Sequence, residues 1–243
     1  MKIAGATALV TGGNRGLGAH LVSGLFRRDV DTVYVAARRP ETVAEAVRAD
    51  PRVRVLALDV DDQASVDAAA AAVAGVDLLI NNAGVLGFGD VLTGDLDLFQ
   101  RDLATNYLGV LRVTRAFLPA LRAAAQNGHG AAVVNVVTLV ALAPVAPMAG
   151  YSASKAATHS LTQALRAAVR DDGIEVIGAY PGGIDTDMLA GVDADKADPA
   201  AVAERILAGT EAGEQIIWPD DASAGAGKVY LGDPVQLERM LAG

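Results

Sequence analysis

The chain contains no cysteine, which excludes disulfides, thiolate metal sites and thiol catalysis. Histidine is nearly as scarce: His20, His129 and His159 stand far apart and form no cluster with carboxylates, so no metal is expected. Basic residues are outnumbered, the net charge is -9, and no lysine/arginine stripe forms, which argues against a nucleic-acid partner. The short apolar run after Lys2 passes straight into a glycine turn and lacks the length and cleavage pattern of a signal peptide. One long uncharged stretch, residues 131–150, is interrupted by Asn135, Pro144, Pro147 and Gly150, so it is read as a buried strand and an apolar loop, not a membrane span. A cytoplasmic protein with no membrane partner is expected.

What is present is alternation. Short runs rich in valine and isoleucine alternate with alanine-rich amphipathic segments, the pattern of parallel strands buried beneath crossover helices. The expectation is a single α/β domain over residues 1–243, a Rossmann-type doubly wound parallel sheet of about seven strands with helices on both faces. Strands are predicted at 6–10, 32–37, 53–58, 76–81, 131–137, 175–180 and 215–218. Helices are predicted near 17–28, 41–49, 63–74, 96–125, 152–171 and 199–212. Residues 189–198 read as a mobile polar loop at the substrate, and residues 219–243 as an atypical C-terminal tail.

Thr11-Gly12-Gly13-Asn14-Arg15-Gly16-Leu17-Gly18 follows a predicted strand and opens a helix. In that context glycines let the backbone approach a pyrophosphate at a helix N-terminus, so a dinucleotide is the expected cofactor. The second strand ends Ala36-Ala37-Arg38-Arg39, with no acidic residue to hold adenosine ribose hydroxyls. Arg38, with Arg15 from the glycine turn, is expected to fork around a 2'-phosphate, and Arg39 adds a second local cation, so NADP(H) is expected over NAD(H).

Tyr151-Ser-Ala-Ser-Lys155 sets a phenol and an ammonium about one helical turn apart, on one face. A fixed cation near a phenol favours phenolate and lowers its pKa, which makes the tyrosine a usable proton donor beside a bound nucleotide.

With these motifs in this order, the chain resembles the classical short-chain dehydrogenase/reductase family over nearly its whole length. Asp59-Val60 is similar to the family's adenine-contacting pair, and Asn81-Asn82-Ala83-Gly84 to its segment after the fourth strand. Pro181-Gly182-Gly183-Ile184-Asp185-Thr186-Asp187-Met188 is similar to its nicotinamide-side loop. The resemblance implies cofactor contacts from Asn82, Ala83, Gly84, Pro181, Gly182, Ile184, Thr186 and Met188, together with Tyr151 and Lys155. It also implies a catalytic set of Asn106, Thr138, Tyr151 and Lys155. Thr138, thirteen residues before Tyr151, stands where the family has a serine. The threonine keeps the hydroxyl and adds a methyl that stiffens χ1. In the implied mechanism Tyr151 protonates a carbonyl oxygen and Thr138 hydrogen-bonds that oxygen. Lys155 keeps Tyr151 acidic and holds the nicotinamide ribose, and Asn106 anchors a water that links Lys155 to solvent.

Pocket walls are expected from Phe88, Leu139, Val140, Val145, Met148, Gly183 and Met188, nearly all apolar and without a cation to clamp an anion. A lipophilic ketone, aldehyde or alcohol is therefore the expected substrate. The resemblance implies a homo-oligomer, dimer or tetramer. Two other readings stand beside the reductase: a dinucleotide-binding regulatory protein with little turnover, and an isomerase or dehydratase that recycles its hydride. The intact Tyr151, Lys155 and Asn106 speak against the first, and the absence of extended substrate-binding insertions against the second.

Overall fold

Burial on both faces explains why the strands read as unbroken apolar runs. In the computed structural model, which describes residues 1–128 and 130–242, these runs form seven strands. They are β1 (Thr7–Thr11), β2 (Thr32–Ala37), β3 (Val53–Ala57), β4 (Leu78–Asn81), β5 (Ala131–Val136), β6 (Ile174–Ala179) and β7 (Ile216–Ile217). All pair in parallel in the order β3-β2-β1-β4-β5-β6-β7. The order reverses between β1 and β4, so a crevice opens at the carboxyl ends of these two strands, where ligands of doubly wound sheets bind. His129 and Gly243 lie outside the described residues.

Helices α1 (Gly16–Phe26), α2 (Glu45–Arg48), α3 (Gln63–Ala72), α4 (Leu96–Leu103), α5 (Val110–Gln126), α6 (Ala149–Ala168) and α7 (Pro199–Glu211) cover the two faces. Two apolar clusters fill the layers. Leu21, Val22 and Leu25 of α1 meet Val202, Ile206 and Leu207 of α7 on one side, and Val113, Phe117 and Leu121 of α5 meet Val66 of α3 on the other. No helix among the described residues is long and apolar enough to cross a membrane.

Three segments depart from expectation. The helix predicted at 41–49 contracts to a short turn at Pro40–Thr42 and the single turn of α2. The helix predicted at 96–125 is interrupted between α4 and α5 by a wider π-helical turn, Ala104–Gly109. The tail carries α8 (Asp221–Gly232) and α9 (Pro234–Ala242). A capping box in which Asp220 and Ser223 bond reciprocally opens α8. Gly227 lets α8 lie on Trp218, because a Cβ there would stand 2.5 Å from the indole ring. Ala226 and Leu237 then cover Leu139 and Ala143, so the tail backs a wall of the crevice.

Beneath that wall Tyr180 is buried between His159 and Trp218, and its hydroxyl lies 2.7 Å from His159 Nδ1. Burial, with a smaller contribution from Arg166, lowers the His159 pKa below its ordinary value of 6.5. The unfolded chain therefore binds a proton here before the folded chain does, and stability falls as pH drops below about 6.5. Thermal unfolding between neutral and mildly acidic pH should show this decline, and His159→Gln should flatten it.

Candidate active site

The glycine turn leads from β1 into α1 and shapes one end of a cleft of about 730 Å³, within the range of ligand pockets. Gly12 and Gly16 have φ of 64° and 52°, a region that disfavours other residues. Gly18 has no room for a side chain: a Cβ would stand 2.1 Å from the carbonyl oxygen of Gly12. The first backbone N–H groups of α1 thus open onto the cleft without obstruction. A cradle of this kind fits the pyrophosphate of a dinucleotide, which Gly12, Asn14, Arg15, Gly16, Leu17 and Gly18 would hold.

Thr11 does not line the cleft. It is buried, and its hydroxyl accepts from the backbone N–H groups of Asn82 and Ala83 at 3.0 Å each. Asn82 replies with its amide on the carbonyl oxygens of Thr11 and Gly12, at 2.9 and 3.2 Å. Thr11 therefore joins the ends of β1 and β4 instead of contacting a ligand. Asn82, Ala83 and Gly84 remain on the wall.

Arg38 and Arg39 are exposed and line the far end with Asp59 and Val60. Arg15 does not join them in a fork. Its guanidinium lies 3.7 Å from the Asp187 carboxylate on the opposite wall, an exposed pair free to exchange partners. Asn14 instead bonds Thr42 at 2.9 Å, and Thr42 bonds the Arg39 carbonyl at 2.6 Å, so the glycine turn and the segment after β2 hold each other. Ala37, Thr42, Leu58, Asp61 and Thr105 also line this end, and the sequence reading did not name them.

At the other end, Tyr151 and Lys155 open α6 beside Thr138, which follows β5. Lys155 is buried and donates to the Val136 carbonyl at 2.8 Å, with Nζ 5.8 Å from the Tyr151 ring centre. Burial draws its ammonium down to about 8. The expectation of an unusually acidic phenol is corrected: burial, and then the negative charge of Asp102, hold Tyr151 above its ordinary range. Thr138 is buried and donates to the Pro181 carbonyl at 3.0 Å, an oxygen that the Leu139 N–H also reaches at 2.9 Å.

Asn106 sits in the π-helical turn, fully buried, and does not itself line the cleft. Its side chain is clamped to the Val85 backbone at both N–H and carbonyl, each 2.9 Å, and its amide also donates to Ser154 Oγ at 2.9 Å. Its backbone carbonyl accepts from the Thr158 hydroxyl at 2.7 Å. This arrangement makes Asn106 a brace between the loop after β4 and α6. Ser154 and Thr158 complete the brace; their spacing on the face of Tyr151 is the one sequence signal that could have revealed them.

The remaining walls are Val85, Leu86, Leu139, Val140, Met148, Gly183, Ile184, Thr186, Met188 and Leu189, with Pro181 and Gly182 below. Two expected wall residues fall outside: Phe88 is half exposed, and Val145 belongs to the turn preceding α6. The pocket is not uniformly apolar, because Arg101 of α4 reaches it. The loop at 189–198 is pinned at its base, where Ala197 and Gly183–Asp185 exchange backbone bonds at 2.8 and 3.0 Å.

The family model for short chain dehydrogenases matches residues 6–197. The chain is 31% identical over 205 residues to the short chain dehydrogenase pigC of Monascus ruber, covering 79% of this chain and 66% of that protein. It is also 31% identical over 202 residues to a sorbitol dehydrogenase of Cereibacter sphaeroides, covering 82% and 78% of the two. Among solved structures, a short chain dehydrogenase from Burkholderia cenocepacia J2315 in complex with NADP superposes with a TM-score of 0.92 at 32% identity, over 100% of both chains. A doubly wound sheet, a glycine turn at its switch point and a tyrosine–lysine helix accompany these similarities, and the chain belongs to the short chain dehydrogenase family, oxidoreductases of alcohol and carbonyl groups.

Proposed function

We propose that this protein is an NADPH-dependent carbonyl reductase, and in reverse an alcohol dehydrogenase, acting on lipophilic ketones or aldehydes. The observation that carries this reading is the meeting of Tyr151, Lys155 and Thr138 at one end of a cleft whose other end is the glycine cradle. A bound nicotinamide dinucleotide supplies the hydride. Tyr151 delivers a proton to the carbonyl oxygen, and Thr138 turns its hydroxyl toward the same oxygen. Lys155, charged below about pH 8, offsets negative charge as it develops on the phenol. Asn106, by bracing α6 against the loop after β4, keeps the three groups in register.

Support for NADP(H) comes from Arg38 and Arg39, the lack of an acidic residue at the end of β2, and the NADP held by the structural relative. Arg38→Ala is expected to narrow the NADPH preference roughly tenfold or more, the size of a lost hydrogen bond to a charged group, chiefly through KM. An unchanged ratio would mean that Arg39 or another group holds the phosphate. A lipophilic substrate is supported by Leu86, Leu139, Val140, Met148 and Met188 on the walls. Kinship does not choose the substrate, since one relative is named for a polyol. The reading includes a cytoplasmic homo-oligomer whose 189–198 loop moves over the substrate.

The test is nicotinamide absorbance with NADPH and then NADH against a panel of lipophilic ketones and aldehydes, with an anionic oxo acid for contrast. NADPH consumption on the lipophilic panel supports the reading. Faster turnover of the oxo acid overturns the substrate class, and no consumption despite NADPH binding overturns the reductase.

A further inference from the structure

One charged group on the cleft wall has no part in the mechanism. Arg101, in the last turn of α4, lines the cleft with its side chain half exposed. Its guanidinium donates to Asp102 Oδ1 at 3.0 Å, and its other N–H groups have no partner among the described residues. Asp102 is completely buried, and its Oδ2 accepts from the Gly87 N–H at 3.0 Å. The pair is seated tightly on the loop after β4: a Cβ on Gly87 would stand 3.0 Å from both the guanidinium and the carboxylate. That loop runs from Leu86 on the wall to Gly89, whose N–H donates to the Pro147 carbonyl at 2.9 Å, next to Met148. Helix α4 is also registered on α6 to either side of Tyr151: Phe99 packs on Gly150 so closely that a Cβ there would lie 2.9 Å from the ring, and Asn106 bonds Ser154. Arg101 therefore reaches the cleft at the Tyr151 end, and from a fixed base.

We propose that Arg101 selects the substrate: it donates a hydrogen bond to a second, uncharged oxygen of a lipophilic carbonyl compound, such as an ester, an amide or a further ketone, apart from the carbonyl that Tyr151 protonates. No other charge at this end is free for the task. The wall segments 84–86, 138–140 and 181–184 carry no ionisable side chain, Lys155 is bonded to the Val136 carbonyl, and Asp187 faces Arg15 at the glycine turn. The pairing of Arg101 decides between a neutral oxygen and an anion. An unpaired guanidinium takes a carboxylate, but the charge of Arg101 is already matched by Asp102, so a second carboxylate at the same guanidinium meets a buried negative charge. A neutral oxygen meets no such repulsion and still gains a charge-assisted hydrogen bond. Leu86, Leu139, Val140 and Met148 then enclose the hydrocarbon between the two oxygens.

This inference deepens the proposed reductase and rests on it for the reacting carbonyl, so its test reads binding without hydride transfer. The probes are keto esters that differ in the separation of ester and ketone, alkyl ketones of the same lengths, and the matching keto acids. Calorimetric titration of the full chain with saturating NADP⁺ or NAD⁺ gives their affinities. At least one keto ester should bind about tenfold or more tighter than its alkyl ketone, the size of a hydrogen bond to a charged group, and tighter than its keto acid. The margin over the ketone should vanish in Arg101→Met and return in part in Arg101→Lys. Because Arg101→Met strands a buried carboxylate, the double variant Arg101→Met/Asp102→Asn removes both charges, leaves an acceptor for Gly87, and should lose the margin as well. Asp102→Asn alone releases the guanidinium and should raise the affinity of the keto acid severalfold. A margin that is absent from the unmodified protein, or that survives in both methionine variants, overturns the proposal, as does tighter binding of the keto acid by the unmodified protein. NADPH consumption on the same compounds separates the two readings: turnover without the margin sinks only the role of Arg101, and the margin in a protein without turnover sinks only the reductase.

Discussion

Replacing Tyr151 with phenylalanine is expected to lower kcat for carbonyl reduction by about 10²- to 10⁴-fold, the contribution of a positioned general acid, while dinucleotide binding persists. The cradle for the dinucleotide is made by Gly12, Gly16, Gly18 and the start of α1, none of which depends on the phenol. The substitution deletes one oxygen that accepts and donates no hydrogen bond within the described residues, so folding should be unaffected. The discriminating measurement pairs a fluorescence titration of NADPH with steady-state rates on one ketone. Undiminished kcat would remove Tyr151 as the donor, whereas lost binding would make the result a cofactor effect.

The pH dependence sharpens this test. Tyr151 is held above the ordinary phenol range, so its proton is available throughout neutral pH. Lys155 is the group that titrates in reach, at about 8, because burial disfavours its charged form. Reduction should therefore decline as pH rises through about 8, when the ammonium that supports the departing proton is lost. The small residual rate of Tyr151→Phe should lack this decline, since no phenolate forms for Lys155 to stabilise.

The sheet was legible because strands buried on both faces leave little freedom in composition: Ala8 to Val10, Val33 to Ala37 and Ala131 to Val136 are almost wholly apolar and buried. The glycine turn was legible because backbone conformation and close approach both demand glycine there. Other features arise from tertiary contact and leave no periodic trace. Nothing in Ala104–Gly109 forecasts a π-helical turn; the local widening accompanies a bond that the Thr158 hydroxyl, 52 residues on, donates to the Asn106 backbone carbonyl. Thr11 resembles a ligand contact in sequence, yet its hydroxyl is consumed by two N–H groups from a strand end 71 and 72 residues away. The carboxyl-terminal helices were missed because Ala222-Ser-Ala-Gly-Ala-Gly227 hides helical periodicity behind residues without side-chain bulk. The Asp220…Ser223 cap was the available signal. Arg101 escaped notice as a pocket residue because it comes from a helix, while the walls were sought in loops.

Thr138→Ala is expected to reduce kcat about 10²- to 10³-fold, or 2.7–4 kcal/mol, the loss typical for one oriented donor to a developing oxyanion. Thr138→Ser should stay within about tenfold of the unmodified protein, since the hydroxyl and its single proton survive. At rest that proton points at the Pro181 carbonyl, 3.0 Å away. To serve a substrate oxygen the hydroxyl must turn from Pro181, and the cost is small because the Leu139 N–H, at 2.9 Å, still satisfies that carbonyl. The threonine methyl restricts the rotation to few χ1 states, a restriction serine lacks. The serine variant thus reports how far the methyl orients the donor, and the alanine variant reports whether a donor is needed. Rates for the three proteins on one ketone under saturating NADPH separate the cases. Equal rates for alanine and serine would reduce Thr138 to a packing residue at the end of β5, and Tyr151 would then act without a second donor on the carbonyl oxygen.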